Sequence, residues 1–146
     1  MRNRIEVLHG VNLNMLGRRP AEHYGTFTLS ELEFEIEGYG RELELEVACF
    51  QTNSEGEFVE RLHRSPELAD GLIVNPGAWT HYSWAIRDAL EIAALPAVEV
   101  HISDLSKREQ WRQTSVISDH CFETIGGRGR DGYRDALVAL KQKLDV

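Results

Sequence analysis

Gly71-Leu-Ile-Val-Asn75-Pro-Gly77, then Ser83–Ala94, then Ala97-Val-Glu-Val-His101 is the stretch on which the fold turns. An apolar run of strand length closes on a Pro-Gly turn signal. Helical spacing follows through Ala85, Ile86, Ala89, Leu90 and Ala93, and after Pro96 a second apolar run returns. Strand, helix and strand in that order make a unit whose crossover is right-handed and whose strands are parallel.

The same alternation extends in both directions. Towards the N-terminus, Ile5–Leu8 reads as a short strand. Thr28-Leu-Ser-Glu31 is a capping-box pattern opening a helix that carries Leu29, Leu32, Ile36 and Leu43, weakened near its end by Gly38 and Gly40. Glu44–Gln51 alternates as a strand with one wetter face, and Ser54-Glu-Gly-Glu57 is a second capping box leading a helix to about Arg64. Towards the C-terminus, Ser106-Lys-Arg-Glu109 predicts a cap for a short helix through Trp111 and Arg112. Phe122–Ile125 reads as a fifth strand, and a glycine-rich turn leads to a final helix over about Asp131–Leu144. The pattern predicts an α/β, flavodoxin-like five-stranded parallel sheet in the order 2-1-3-4-5, with helices on both faces. No repeat or linker divides the 146 residues, so one domain, 1–146, is expected.

Composition narrows the function. Hydrophobic residues at 42% and charged residues at 27% are globular values. No apolar run reaches the roughly 18 residues of a membrane span, and Met1-Arg2-Asn3-Arg4-Ile5 does not begin a signal peptide, so no membrane partner is expected. Cys49 and Cys121 form neither a metal-ligand spacing nor a disulfide framework, which suits a cytoplasmic location. A net charge of −8 argues against nucleic acid as a partner. Acid concentrates in Glu31–Glu60, whereas arginines and histidines gather in a few loops, so a small anionic ligand is expected.

Ligands of open parallel sheets bind beyond the carboxyl ends of the strands. After the first strand come Gly10-Val-Asn12-Leu-Asn14-Met-Leu-Gly17-Arg18-Arg19 and Tyr24-Gly25. After the third come Asn75-Pro-Gly-Ala-Trp-Thr-His81, and the fourth ends in Glu99-Val-His101-Ile102-Ser103 with Arg108 and Arg112 beyond. Glu99 and His101 share one strand face, as a structural hydrogen bond or as an imidazole oriented for acid–base work. Asn75 reads equally as a turn builder, His81 as a cap on the next helix, and Arg108 and Arg112 as surface cations pairing with Glu109 or Asp104. The loop from Gly10 to about Phe27 is long enough for a lid, the alternative being a disordered surface loop. A guanidinium beside a phenol favours phenolate, a usable base.

Gly127-Arg-Gly129-Arg-Asp-Gly132 matches a dinucleotide fingerprint literally, but only 14 residues follow it, too few for the unit that motif requires. It reads as a turn into the last helix with a local anion site. No Walker motif is present, and the histidines lack a metal-ligand spacing, so neither cofactor nor metal is expected.

Taken together, Gly10-Val-Asn-Leu-Asn-Met-Leu-Gly17 with Arg19 and Tyr24-Gly25, Asn75–His81, Ser83-x-Ala85-x-Arg-Asp-Ala89, Glu99–Ser103, Arg108-Glu-x-x-Arg112 and Gly127-x-Gly-x-x-Gly-Tyr133 resemble type II 3-dehydroquinate dehydratases over nearly the whole chain. The resemblance implies cofactor-free conversion of 3-dehydroquinate to 3-dehydroshikimate by a homododecamer, a tetramer of trimers. It implies Tyr24 as base, Arg19 as its stabiliser, Asn12 as holder of a water at the enolate oxygen, and His101 as acid oriented by Glu99. It further implies that the backbone of Ile102 and Ser103 receives the substrate carboxylate. Asn75, His81 and Arg112 would bind hydroxyls, with Arg108 in the same site, and Asp88 would reach in from a neighbouring subunit.

Departures from the family pattern include His9 for a common asparagine, Val11 for proline, Thr114 for histidine, Asp119 for proline and Glu123 for glycine. Tyr82 and Trp84 are also bulkier than usual. These leave two alternatives: a paralogue acting on another cyclic hydroxy-acid, or a non-catalytic flavodoxin-like anion-binding module.

Overall fold

The central strands are apolar almost throughout because both of their faces are covered. In the computed structural model, which describes residues 2–145, β1 (Arg4–His9) is buried beyond its first residue. β3 (Gly71–Asn75) and β4 (Ala97–His101) are buried at every position. β2 (Glu46–Gln51) and β5 (Glu123–Gly126) are the wetter edges. All pairings are parallel, in the order β2-β1-β3-β4-β5, as the alternation predicts.

Between the strands lie the short helix α1 (Ala21–Tyr24), then α2 (Leu29–Glu42), α3 (Glu55–Leu68), α4 (Trp84–Ala93) and α5 (Asp131–Leu144). One core joins α2 and α5 to Ile5, Val7, Ile73, Val98 and Val100. The other joins α3 and α4 to Leu8, Leu72, Val74 and Ala97. Strand alternation therefore sends His9 and Asn75 to the first face, and Glu6, Glu99 and His101 to the second. Among the described residues, no helix is long and apolar enough to cross a membrane.

The local rules hold in part. Thr28 and Glu31 make the full reciprocal capping box. At the second box only half forms: Ser54 Oγ accepts from the Glu57 N–H, but the Glu57 carboxylate turns to the Thr52 hydroxyl. α3 continues four residues past the expected Arg64, because the Ser65 hydroxyl is buried in a bond to Glu6 of β1. Gly40, near the end of α2, also makes a close approach: a Cβ there would lie 2.4 Å from Val47 Cγ2, so glycine lets α2 rest on β2. The strand expected from Glu44 starts at Glu46, since Glu44 has φ 60° and ends the turn before it. Asp104, not Ser106, caps the segment after β4, and the helix expected there is two separate 3₁₀ turns, Leu105–Lys107 and Gln110–Gln113.

Candidate active site

The Glu99–His101 pair forms on a single element. Glu99 and His101 project from the same face of β4, and the His101 Nε2 to Glu99 Oε2 distance is 2.5 Å. Glu99 is fully buried, and its other oxygen accepts from Ser115 Oγ at 3.0 Å and Thr124 Oγ1 at 3.4 Å. A carboxylate acceptor requires a proton on Nε2, which leaves Nδ1 as the ring's other working nitrogen. The His81 ring stacks against His101 with centroids 6.4 Å apart, and its Nδ1 donates to the Thr114 carbonyl at 2.8 Å. Burial lowers the His81 pKa against the raising effect of that carbonyl, and His101 and Arg112 lower it further. The helix cap at α4 is Ser83, whose Oγ accepts from the Ile86 N–H, so His81 is free of that duty.

The long first loop is an ordered, core-anchored segment rather than a disordered one. Leu13, Leu16 and Tyr24 are buried in the first core, and Tyr24 closes α1, a turn the sequence reading left out. Arg108 donates to the Tyr24 hydroxyl at 3.0 Å and to Ser103 Oγ at 3.1 Å. Arg19 instead lies over the Tyr24 ring, 4.0 Å from its centroid. The guanidinium at the hydroxyl is therefore that of Arg108, and Arg19 takes the ring face.

Arg19, Tyr24, Asn75, His81, His101, Ile102, Ser103 and Arg112 line one cleft with Gly77, Ala78 and Leu105, at the carboxyl edge of β3 and β4. Asn75 also builds its turn: Oδ1 accepts from the Gly77 N–H, and Nδ2 donates to the buried Tyr133 hydroxyl. Arg112 is held by both oxygens of Glu109 at 3.2 Å, as a surface cation would be, while still facing the cleft. The Gly127–Gly132 stretch is the expected turn, and its Gly127 and Gly129 N–H groups hold the carbonyls of Ser103 and Ile102. Neither Asn12 nor Asp88 lines the cleft. The Asn12 N–H is held by Asn53 Oδ1, and Asp88 is exposed on the outer face of α4.

The cleft encloses only about 30 Å³. Across Tyr24, Ile102 and Ser103 lies a second cavity of about 550 Å³, lined also by His23, Asp104 and Lys107. Tyr24, Ile102 and Ser103 thus line both spaces. Sequence reasoning missed the supports of Glu99, because Ser115 and Thr124 carry no motif, and it had no local signal for the Arg108–Tyr24 bond.

A carboxylate-held imidazole and a guanidinium-held phenol thus line one cleft at the carboxyl edge of a flavodoxin-like α/β sheet, an arrangement able to give and take protons. The model of the class II dehydroquinase family matches residues 3–141. A 3-dehydroquinate dehydratase of Thermotoga petrophila is 50% identical over 142 residues, covering 97% of each chain. That of Pelobacter propionicus is 48% identical over 144 residues, covering 98% of this chain and 97% of its own. The crystal structure of the type II dehydroquinase from Propionibacterium acnes superposes with a TM-score of 0.92 at 43% identity, covering 97% of this chain and 98% of that one. The chain belongs to the class II dehydroquinase family.

Proposed function

We propose that this protein dehydrates 3-dehydroquinate to 3-dehydroshikimate through an enolate, with Tyr24 as base and His101 as acid. The observation that carries the reading is the pairing, in one cleft, of a Tyr24 hydroxyl bonded to Arg108 with a His101 ring held by the buried Glu99. In the phenolate form Tyr24 takes the proton from the carbon beside the ketone, and the C–H electrons pass into an enolate. The enolate collapses to the enone and expels the hydroxyl two carbons from the carbonyl, which leaves as water with a proton from His101. Arg108 at the Tyr24 hydroxyl and Arg19 over its ring stand beside the charge of that phenolate, and Asn12, outside the cleft as it stands, holds a water against the enolate oxygen once the loop has moved. No metal or organic cofactor enters this scheme.

Ile102 and Ser103 receive the substrate carboxylate through their backbone N–H groups, and Asn75, His81 and Arg112 bind hydroxyls. A cleft of about 30 Å³ has room for little more than a water molecule, so the segment carrying Arg19 and Tyr24 moves for a ring acid to bind. Joining the cleft to the cavity across Tyr24 provides the space. The working particle in this reading is a homododecamer in which Asp88 completes a neighbour's site. Trp84 and Ile92 flank Asp88 on the exposed side of α4, two large apolar side chains suited to cover by another chain. The two free cysteines fit action in the cytoplasm.

Purified protein incubated with 3-dehydroquinate is expected to develop the ultraviolet absorbance of a conjugated enone. Tyr24→Phe and His101→Ala should each nearly abolish it while keeping the native circular dichroism. No absorbance across a pH series defeats the reading, and wild-type rates in either variant defeat the roles. Light scattering is expected to return twelve chains per particle, and a monomer would remove Asp88 from the scheme.

A further inference from the structure

His9 is the last residue of β1, and its side chain is fully buried. Neither ring nitrogen has a hydrogen-bond partner. Leaving such a group unpaired costs about 1–3 kcal/mol, so an unpaired buried imidazole needs a reason. Its Nε2 is 3.5 Å from Glu33 Oε2, on the second turn of α2. Burial lowers the His9 pKa to about 4, so this contact is not an ion pair. Cys49, on β2, presents its sulfur to the same point, and one ligand atom each from His9, Glu33 and Cys49 lie within 4.8 Å of one another. Among the described residues this is the only such grouping of three.

We propose that His9, Glu33 and Cys49 bind one zinc-class divalent cation, on the sheet face opposite the Glu99–His101 pair. In a tetrahedral site with bonds of about 2.0–2.3 Å, ligand atoms stand about 3.4–3.6 Å apart. The His9–Glu33 separation already has that value, and the remaining distances, 4.8 Å at most, need to close by no more than about 1.2–1.4 Å. Sulfur, imidazole and one carboxylate select zinc or cobalt over magnesium or calcium, which take oxygen ligands. On binding, the Cys49 S–H bond breaks, its proton goes to solvent, and the thiolate bonds the metal. His9 Nε2 and a Glu33 oxygen supply two further lone pairs, and water fills the fourth position. A dication with one thiolate and one carboxylate is neutral overall, the state least costly to bury. The Glu33 side chain is 27% exposed and gives the ion its way in. Glu37, one turn further along α2, adds negative potential near both Glu33 and Cys49.

The site would clamp α2 to β1 and β2 immediately before the loop that carries Arg19 and Tyr24. It takes no part in the dehydration, and its test does not use turnover. Chelator-treated protein, kept reduced, is titrated with cobalt(II). The expected result is a thiolate-to-cobalt absorption band saturating at one ion per chain, removed by zinc(II), with a rise in melting temperature on zinc addition. Cys49→Ala should lose both band and rise, Glu33→Gln should weaken binding, and Cys121→Ala should change neither. His9→Asn provides a second loss-of-site variant, and circular dichroism shows whether each variant is folded. No thiolate band in the wild type, a band surviving in Cys49→Ala, or a band lost in Cys121→Ala would each overturn the assignment.

Discussion

Arg61→Ala tests a buried polar link between α3 and β1. The Arg61 guanidinium donates to Glu6 Oε2 from Nε at 2.8 Å and from a terminal nitrogen at 2.5 Å. The other Glu6 oxygen accepts from Ser65 Oγ at 2.9 Å, and the Glu6 side chain is 3% exposed. Removing one partner of a buried pair costs about 3–5 kcal/mol, because the remaining charge is neither paired nor hydrated. Arg61 itself is 26% exposed, which moves the expectation to the low end, about 3 kcal/mol. Loss of the guanidinium from above the Phe50 ring, 4.7 Å from its centroid, adds about 0.5–1 kcal/mol. The partner change Glu6→Gln leaves an arginine that water can reach and should cost less, roughly 1–2 kcal/mol. Replacing both, as Glu6→Leu with Arg61→Met, should return to within about 1 kcal/mol of the wild type, since neither charge remains buried alone. Urea unfolding followed by tryptophan fluorescence, at one fixed chain concentration, reads all four stabilities. A loss below about 1 kcal/mol for Arg61→Ala is a surface-pair value, and it would refute the claim that this carboxylate depends on its partner.

Arg108→Lys should lower turnover roughly 100-fold and Arg19→Lys about tenfold, because only Arg108 bonds the Tyr24 hydroxyl; steady-state kinetics giving the reverse order would exchange the two roles. Glu99→Gln keeps the shape but loses the charged acceptor that fixes the His101 tautomer, and should cost about 10²–10⁴ in turnover with the melting temperature little changed. His81 should titrate below its ordinary 6.5 in a proton NMR experiment, because burial disfavours its charged form. As pH falls past 6.5 the unfolded chain then takes up this proton first, so His81 contributes stability at neutral pH that is lost through its folded pKa. A midpoint above 6.5 would mean that the Thr114 contact outweighs burial.

What could be read from the sequence depended on how many elements a feature spans. The β3–α4–β4 stretch was legible because apolar runs, helical spacing and Pro-Gly punctuation are written within it. The Glu99–His101 pair was legible too, since i, i+2 on a strand is a one-element relation. Helix ends were less so: α3 continues past Arg64 because of a bond from Ser65 to Glu6, 59 residues earlier, and nothing local announces it. Tyr24 shows the limit within the site. Sequence proximity favours Arg19, five positions away, as the guanidinium at its hydroxyl, yet Arg108 reaches it from the loop after β4. The His9, Glu33 and Cys49 grouping carries no short metal-ligand spacing, because these residues meet only when β1, α2 and β2 are assembled. His9 was nonetheless visible as a departure from the family's asparagine. An imidazole with both nitrogens unpaired in a core is costly unless something binds it, so the departure is where a chain-specific property should be sought.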